Sequence, residues 1–480
     1  MTNALLFRSS SVRLSLSAVF LAAIAGSLAQ TAPPKIQKPV LAAWTEIVGD
    51  EHAAPYPLAT GHTVVRVITS AAVCPPAQAD GLPLQLTVRQ PASASFPVTT
   101  CQATPPAHAR HVTVAGVTLD TQPARLRRII VIGDTGCRLK GPLVQDCNDV
   151  RRWPFPLVAA HAAAKDPDLV IHVGDYYYRE SPCPTGASGC AGSPHGDAWG
   201  SWAADIFEPA APLLTVAPWI FVRGNHEQCG RGADGWFRFL DAAQMPQSCK
   251  DTITAHPFTV RLDGLTLNVM DSADTDDTTA PADLVAIFTR QFEQLGKATE
   301  TGDGWILTHR PIWGLEPEVV NVPGKKGATD PIPDGVPPPL PGFNAVDFPS
   351  NRTEQVASDS RALAGTDMIL SGHVHLFTAL DFGPTRPVQL VVGNGGDNPN
   401  VAVAGPQVRT ETVDGMSANI FQLQRYGYFM MDRTKDGWVG TAFSIDDQIL
   451  AICTLHERNV SCLLAPSLPP QLGPTASEKQ

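Results

Sequence analysis

The run Trp219-Ile220-Phe221-Val222-Arg223-Gly224-Asn225-His226-Glu227 decides the predicted fold, because an apolar stretch ends abruptly in a cluster of polar residues. A short apolar stretch of this kind predicts a buried strand. The polar cluster would then follow the carboxyl end of the strand, which is the edge where open α/β sheets place their functional groups. Asn225 and His226 are therefore the first candidates for a functional site.

Four other segments repeat the pattern of an apolar run followed by polar residues. The apolar runs are residues 129–132, 169–173, 305–307 and 368–370. The polar clusters after them are, in the same order, Gly133-Asp134-Thr135-Gly136, Gly174-Asp175-Tyr176-Tyr177-Tyr178, Thr308-His309-Arg310-Pro311 and Gly372-His373-Val374-His375. Five strand ends would thus bring carboxylate, phenol, amide and imidazole groups together. Hard and borderline cations prefer such oxygen and nitrogen donors, so the pattern predicts a metal centre.

The composition is that of a globular chain, long enough for one large domain and one smaller domain. The chain has 480 residues, of which 43% are hydrophobic and 17% charged. A formal net charge of −11 and a pI near 5.6 argue against nucleic acid as a main partner, because the phosphate backbone demands a basic face.

Residues 1–29 predict a signal peptide. Arg8 and Arg13 give it a positive start, residues 14–25 are apolar, and Ser27-Leu28-Ala29 offers a cleavage site. A retained anchor helix is the alternative. Since nothing later is long and apolar enough to cross a bilayer, we expect a secreted or periplasmic protein with no membrane span after signal removal.

The ten cysteines fit this destination, because an oxidising compartment permits disulfides. Their order along the chain predicts local pairs that would stiffen the loops around the site. The predicted pairs are Cys74 with Cys101, Cys137 with Cys147, Cys183 with Cys190, Cys229 with Cys249, and Cys453 with Cys462.

The pattern of the chain predicts four segments after the signal. Residues 30–38 are Pro-rich and predict an extended linker. Residues 39–122 carry short alternating runs without helical periodicity, which predict a small β-sandwich-like accessory domain. Residues 126–465 alternate strand and helix patterns and contain all five polar clusters. Residues 466–480 are expected to form a flexible tail.

Within residues 126–465 the pattern predicts an α/β (α+β) fold, with a mixed sheet or two packed sheets and helices outside. Helices are expected at 157–165, 284–295 and 353–363, and hairpin turns at Asp263-Gly264 and Asp436-Gly437. Residues 314–349 are rich in Pro and Gly and are expected to form a long loop near the site.

The series GD, GDxxY, GNHE, THRP and GHVH resembles the motifs of the calcineurin-like metallophosphoesterases, in the order found in that family. The position of Tyr178, three residues after Asp175, resembles the motif of the purple acid phosphatase-like branch of that family. The motifs span residues 133–375, so the resemblance covers the predicted domain at 126–465. It implies a double-β sandwich flanked by helices. A small N-terminal all-β domain before the phosphoesterase domain also resembles the domain arrangement of the larger members of that branch.

The resemblance implies a role for each matching residue. Asp134, Tyr178 and His375 would bind the first metal ion, Asp175 would bridge both ions, and Asn225, His309 and His373 would bind the second. His226 would lie outside the ligand set, where it would hydrogen-bond the substrate phosphate or protonate the leaving group. Asp175 and His226 are therefore the expected catalytic residues.

Tyr178 also indicates which metal ions the site would hold. Phenolate is a hard donor that suits Fe(III), so the resemblance favours Fe(III) with Zn, Mn or Fe(II), and two zinc or two manganese ions are the alternatives. Other branches carry a His two residues after the first Asp, and Gly136 at that position agrees with the tyrosine branch. Only the spacing selects Tyr178, because Tyr176 would face the same way in a strand end.

The resemblance implies an exported binuclear-metal phosphoesterase, acid phosphatase-like, that hydrolyses the phosphate monoester of a small phosphorylated substrate by attack of a metal-bound hydroxide. A phosphodiesterase or nucleotide hydrolase on the same metal centre is one alternative. A non-catalytic binding protein with a relic domain is the other, and the complete ligand set speaks against it.

Other polar residues near the clusters are weaker candidates for a functional role. His172 is expected to be a core residue. Arg179, Arg223 and Arg310 lie beside ligand positions, but neighbours in a strand face opposite ways, so most would not reach the substrate. Asp271 and Asn394 are expected to be structural, and His195 and His256 to lie on the surface.

Overall fold

Two large β-sheets form the framework of the protein. The computed structural model describes residues 39–49, 61–141, 143–242, 257–298, 304–319, 343–347, 351–358, 363, 365–400, 402 and 406–466. The predicted signal peptide and linker, residues 320–342 of the predicted loop, and the tail from residue 467 onward lie outside these residues.

The strands of the described residues are numbered in chain order. They are β1 (Val40–Val48), β2 (His62–Thr69), β3 (Ala77–Ala79), β4 (Leu82–Leu84), β5 (Thr87–Gln90), β6 (Thr99–Ala103), β7 (His111–Val114), β8 (Val117–Asp120), β9 (Arg128–Ile132), β10 (Leu139–Lys140), β11 (Leu143–Val144), β12 (Leu169–His172), β13 (Trp219–Phe221), β14 (Phe258–Leu262), β15 (Leu265–Val269), β16 (Gly304–Leu307), β17 (Leu315–Val319), β18 (Phe343–Asp347), β19 (Thr366–Ser371), β20 (Phe377–Asp381), β21 (Val388–Val392), β22 (Arg409–Val413), β23 (Met416–Leu423), β24 (Gly427–Thr434), β25 (Gly437–Ser444), β26 (Ile449–His456) and β27 (Asn459–Leu464).

The α-helices of the same residues are few and mostly short. They are α1 (Phe155–Ala163), α2 (Trp199–Trp202), α3 (Ala211–Leu214), α4 (Ala233–Phe239), α5 (Ala282–Ala298) and α6 (Arg352–Ala357). A π-helical turn spans Ala203–Phe207, and a 3₁₀ turn spans Asn225–Glu227.

Each large sheet has a parallel centre and antiparallel flanks. The first sheet has 11 strands in the order β27-β26-β25-β24-β9-β12-β13-β1-β2-β6-β5, with β9, β12 and β13 parallel. The second has 8 strands in the order β14-β15-β16-β19-β21-β20-β23-β22, with β15, β16, β19 and β21 parallel. The five apolar runs found in the sequence are central strands of these sheets, which explains why they lack polar alternation.

The main core lies between the two sheets. Val131 and Ile171 from the first sheet pack in one cluster with Leu307 and Leu370 from the second. Burial of each such side chain stabilises the fold by about 1.5–3 kcal/mol. The other face of the first sheet is covered by α1, α3 and α4, and that of the second by α5 and α6. The predicted α+β fold, a double sandwich flanked by helices, is confirmed.

The N-terminal region is rich in strands, as predicted. Its strand β1 pairs in parallel with β13, and β2, β6 and β5 continue the first sheet. Strands β4, β3, β7 and β8 form a separate sheet of four. The described residues fall within one compact unit at 35–480, and the boundary at 122–126 stays a prediction.

The three predicted helices are present and differ from the predictions only at their ends, whereas α2, α3 and α4 were not predicted. Helix α1 begins two residues before the predicted start, and α5 extends beyond 284–295 at both ends. Helix α6 ends at Ala357, short of the predicted 363, and the side chain of Asn351 caps its start. Asp263 and Gly264, at φ 47° and 85°, form the predicted turn between β14 and β15. The turn predicted at Asp436-Gly437 lies one residue earlier, at Lys435-Asp436, because Gly437 pairs with Thr434 as the first residue of β25.

Four of the predicted disulfides are present: Cys74–Cys101, Cys137–Cys147, Cys183–Cys190 and Cys453–Cys462. Cys229 is also disulfide-bonded, whereas its predicted partner Cys249 lies outside the described residues. Within the described part of the chain, no helix has both the length and the apolar composition needed to cross a bilayer.

Candidate metal centre

The seven predicted ligands meet where the carboxyl ends of both sheets come together. The first sheet supplies Asp134 after β9, Asp175 and Tyr178 after β12, and Asn225 after β13. The second supplies His309 after β16, and His373 and His375 after β19. Neither sheet carries the whole set, so the packing of one sheet on the other assembles the site.

The phenol of Tyr178 is the centre of the first half of the site. Its Oη lies 3.0 Å from Oδ1 of Asp134, 2.9 Å from Oδ2 of Asp175 and 3.0 Å from Nε2 of His375. All four side chains are buried. These are the residues that the resemblance assigns to the first metal ion and to the bridge.

The amide oxygen of Asn225 is the centre of the second half. Its Oδ1 lies 3.0 Å from Nε2 of His309 and 2.9 Å from Nδ1 of His373. Nε2 of His309 lies 3.2 Å from Oδ2 of Asp175, the same oxygen that faces Tyr178. One oxygen of Asp175 therefore belongs to both halves, as a bridging ligand requires. A candidate metal-binding group of Asp175, His309 and His373, with ligand atoms within 4.8 Å of one another, lies here.

The hydrogen bonds of the imidazoles show that these halves fit cations. Nδ1 of His309 lies 2.8 Å from the carbonyl oxygen of Val173, and Nδ1 of His375 lies 3.0 Å from that of Asn398. A carbonyl only accepts, so each Nδ1 carries the proton and each neutral ring presents a lone pair at Nε2. The lone pair of His309 faces the oxygens of Asn225 and Asp175, which also only accept. That of His375 faces the phenol oxygen of Tyr178 and a carboxylate oxygen of Asp134. Acceptors converging in a buried site need a cation between them, and the donor set suits hard or borderline metals.

The pKa values of the same groups reflect this demand for positive charge. Burial opposes a charged imidazole, yet Asp175 raises the pKa of His309 to about 9, and Asp397 and Asp134 raise that of His375. Burial and the charges of Asp134 and Asp175 raise the pKa of Tyr178 well above its ordinary value. A cation beside Oη would supply the charge that allows the phenol to ionise.

The geometry distinguishes between the neighbouring tyrosines. The hydroxyl of Tyr176 donates to the carbonyl oxygen of Val222 at 2.8 Å, and its ring stacks on His172. Tyr178 alone among the three tyrosines of the run directs its oxygen at the two aspartates. The chain does not continue as a strand beyond His172, so the alternation expected for a strand end does not hold here.

Three of the predicted ligands have left-handed backbones. Asp134, Asp175 and His373 have φ values of 54°, 59° and 69°. Such conformations cost of the order of 1 kcal/mol or more for residues other than glycine and concentrate at functional sites. The close approach of the loops also requires glycine: a Cβ on Gly224 would lie 2.1 Å from Oδ1 of Asp175.

Glu227 holds two ligand loops together and was not singled out in the sequence beyond its place in GNHE. Its carboxylate accepts hydrogen bonds from the backbone N–H groups of Gly224, Asp175, Tyr176 and Tyr177, at 3.0, 3.2, 2.9 and 3.1 Å. The side chain is fully buried. It therefore fixes the loop after β12 against the loop after β13.

Two further carboxylates position the first half of the site, and no sequence motif points to either. Asp205, from the π-helical turn, accepts from the backbone N–H of Tyr178 at 2.9 Å and from that of Cys137 at 3.1 Å. Asp397 pairs with Arg138, whose guanidinium lies 5.0 Å from the ring centre of Tyr178. Both carboxylates come from loops far along the chain from the motifs.

His226 lies beside the ligands, with its ring 3.7 Å from that of Tyr178 between centres. Its Nδ1 is 2.7 Å from Oε1 of Glu180, and its Nε2 is 3.8 Å from Oδ2 of Asp175. Burial lowers the pKa of His226 to about 4. Burial opposes the charge of Glu180, but His226 and Arg231 lower its pKa to about 2. Ionised Glu180 thus orients Nδ1 and leaves Nε2 toward the centre.

The remaining candidates separate into buried structural residues and one that borders the site. His172 is buried and contacts Thr135 at 2.9 Å, as expected of a core residue. Arg179 and Arg223 are buried and pair with Asp205 and Asp271. Arg310 reaches the site: its Nη1 lies 3.3 Å from Nε2 of His373 and contacts Asp277.

The last of the predictions concern residues away from the ligands. Asn394 donates to the carbonyl oxygen of Arg425 and so has a structural contact. His195 is exposed, as expected, and His256 lies outside the described residues.

The comparisons with known proteins concern the family and the fold. The model of the calcineurin-like phosphoesterase family matches residues 127–377, just over half of the chain. The chain is similar to the structure of PhoD, with a TM-score of 0.54 and 10% identity over 92% of this chain and 95% of that chain. At this identity the similarity shows the fold alone.

Two other similar structures have lower scores. They are purple acid phosphatase PPD1 from yellow lupin (Lupinus luteus) seeds, with a TM-score of 0.47 and 11% identity over 81% of this chain and 70% of that chain, and GAP50, the anchor in the inner membrane complex of Plasmodium, with a TM-score of 0.41 and 11% identity over 70% and 90%. No curated protein sequence matches the chain significantly.

Proposed function

The chain belongs to the calcineurin-like phosphoesterase family, and on that premise we propose that it is an exported, acid phosphatase-like enzyme that hydrolyses phosphate monoesters of small molecules. The observation that carries the proposal is the convergence of the seven predicted ligands from two sheets, with Oδ2 of Asp175 facing Tyr178 in one half and His309 in the other. Two cations held there would neutralise phosphate charge and lower the pKa of a water molecule, which supplies the nucleophile for hydrolysis.

We further propose Fe(III) with Zn, Mn or Fe(II) as the metals. Tyr178, Asp134 and His375 would hold Fe(III), because phenolate and carboxylate oxygens suit a hard cation. Asn225, His309 and His373 would hold the divalent ion, and Asp175 would contact both. The Tyr178 spacing, similar to that of the purple acid phosphatase-like branch, supports this choice.

The protein's own residues would bind and orient the ester. The side chains of Arg138, Glu180, Arg231 and Asp277 around the centre are 17–36% exposed and mark the side open to solvent. Two of these are arginines, whose guanidinium groups suit phosphate oxygens, and a monoester offers three terminal oxygens where a diester offers two.

His226 would donate a proton to the leaving group. When the ring is charged, Nε2 carries a proton toward the centre while Nδ1 stays on Glu180. Donation of that proton to the departing alkoxide would avoid a poorly stabilised anion.

Export is supported by the disulfides of the described residues and by the N-terminal segment at residues 1–29. We propose a secreted or periplasmic enzyme with no nucleic-acid partner.

The test compares p-nitrophenyl phosphate with bis(p-nitrophenyl) phosphate for the wild-type protein and for Asp175→Asn. We expect faster monoester turnover, lost in Asp175→Asn and retained in Asp436→Asn, which changes an exposed turn residue. Faster diester turnover would overturn the monoester assignment. No turnover of either ester by metal-loaded protein would overturn the enzyme assignment.

A further inference from the structure

Lys140 lies alongside Glu180, the residue that orients His226. Leu139 donates its backbone N–H to Tyr178 at 3.0 Å and accepts from Ser181 at 2.9 Å, so it bridges in parallel to Arg179. Side chains alternate along such a pair. Leu139 and Arg179 are buried, whereas the next residues are exposed in the case of Lys140 and partly exposed in the case of Glu180.

The hairpin that carries Lys140 is firmly anchored. Strands β10 and β11 pair between Cys137 and Cys147, which form a disulfide. The backbone N–H of Gly141 donates to the hydroxyl of Ser181 at 3.2 Å. The position of Lys140 relative to the metal centre is therefore set by covalent and hydrogen-bonded supports.

The charges around Lys140 leave its ammonium group uncompensated. Arg231 pairs with Glu180, and Arg138 pairs with Asp397. Among the described residues the ammonium group of Lys140 has no hydrogen bond or ion pair. Partial burial and the charge of Arg231 lower its pKa, with Glu180, Arg138 and Asp175 as the other charges it senses.

The two sides of the site differ in whether their positive charge is paired, since Arg310, beside His373, pairs with Asp277. Lys140 and Arg231 gather at Glu180 and His226, whereas the carboxylate of Asp277 lies 3.2 Å from Nε2 of His373, in the other half. An anionic part of a substrate would gain little beside the pair of Arg310 and Asp277, and would be attracted to the charge of Lys140, which is unpaired among the described residues. The proton donor lies on the attractive side, where the leaving group must depart.

We propose that Lys140 binds an anionic group on the leaving group, so that the enzyme prefers phosphate esters or anhydrides whose leaving group carries a carboxylate or a phosphate. The inference rests on the proposed function, in which His226 serves the leaving group. A lysine is suited to this task because its compact charge and rotatable donors accept anions of different shape.

The test uses Lys140→Met with two matched esters, 2-phosphoglycerate and glycerol 2-phosphate, which differ by a carboxylate in place of a hydroxymethyl group. We expect kcat/KM for 2-phosphoglycerate to fall about tenfold, as loss of one charge-assisted hydrogen bond implies. For glycerol 2-phosphate the same variant should retain wild-type kcat/KM within about twofold. Inorganic pyrophosphate, as a third probe, shows whether a leaving phosphate is bound in the same way.

Two variants serve as controls. Lys435→Met removes an exposed charge from the turn between β24 and β25. It should leave kcat/KM unchanged for both 2-phosphoglycerate and glycerol 2-phosphate. Lys140→Arg should restore the preference, since it restores the charge.

Equal losses for all three probes, or no loss in Lys140→Met, would overturn the inference while leaving the phosphatase intact. Wild-type protein that cleaves glycerol 2-phosphate but neither anionic probe would also overturn the inference. Metal-loaded wild-type protein that cleaves none of the probes would overturn the proposed function and the inference together.

Discussion

A Cβ atom on Gly136 would lie 2.8 Å from Cδ2 of Tyr178 and 2.9 Å from its backbone nitrogen. Position 136 and the tyrosine ring therefore compete for the same space. This explains in physical terms why a glycine stands two residues after Asp134 in a chain that carries a tyrosine three residues after Asp175.

Gly136→Ala should displace Tyr178 and weaken metal binding. We expect metal affinity to fall on the order of 10–100-fold, as it does when a ligand loses its support. Metal content after dialysis against a chelator measures this effect. Gly200→Ala, whose Cβ would meet only Pro194, should keep its metal. Equal retention by both variants would refute the packing argument.

His226→Asn should lower kcat without removing metal, because His226 donates no ligand atom in the proposed site. Loss of a general acid costs about 10²–10⁴-fold when the leaving group needs a proton. The loss should be large for glycerol 2-phosphate and small for p-nitrophenyl phosphate, whose phenolate leaves unaided. An equal loss for the two esters would contradict the role as proton donor.

Glu227→Gln should destabilise the fold and the ligand loops together. A glutamine presents one oxygen and one NH₂ group to four backbone donors, so some buried N–H groups lose their acceptor at about 1–3 kcal/mol each. Thermal unfolding measures the effect as a lowered Tm. Glu208→Gln, an exposed position, is the control. Matching Tm values for the two variants would show that the four hydrogen bonds accepted by Glu227 contribute nothing to stability.

Glu354 should make stability depend on pH. Burial raises the pKa of Glu354 from 4.5 to about 8, so the folded state holds its proton more tightly than the unfolded state. This contribution is complete below about pH 4.5 and is lost as the pH rises through about 8. Each pKa unit between the two states corresponds to about 1.4 kcal/mol.

Glu354→Gln mimics the protonated acid, so it should gain stability over the wild-type protein as the pH rises from 5 to 9. Glu208→Gln should gain none. Parallel Tm curves for Glu354→Gln and the wild-type protein over this range would show that Glu354 is not held neutral.

The fold could be predicted where short apolar runs in the sequence indicate buried strands. The apolar runs before Asp134, Asp175, Asn225, His309 and His373 carry almost no polar side chain, His172 being the exception, as expected for strands covered on both faces. Their polar ends lie together because both sheets direct parallel carboxyl edges to one place, and the assignment of these residues as metal ligands stays a prediction. Strand β1, by contrast, joins the first sheet beside β13, a long-range pairing that no local pattern encodes.

The supporting residues could not be predicted in the same way. Asp205 and Asp397 act through contacts with Tyr178 and Arg138 that the tertiary fold creates. The choice of Tyr178 over Tyr176 was made by spacing. Its physical cause, the departure from strand geometry after His172, is visible only in three dimensions.

The most direct test of the central claim is metal analysis combined with an absorption spectrum of the purified protein. We predict two metal ions per chain and, with iron bound, a tyrosinate-to-iron charge-transfer band that disappears in Tyr178→Phe and persists in Tyr176→Phe. Fewer than two ions per chain after reconstitution would contradict the binuclear site, and a band that survives in Tyr178→Phe would contradict the role of Tyr178.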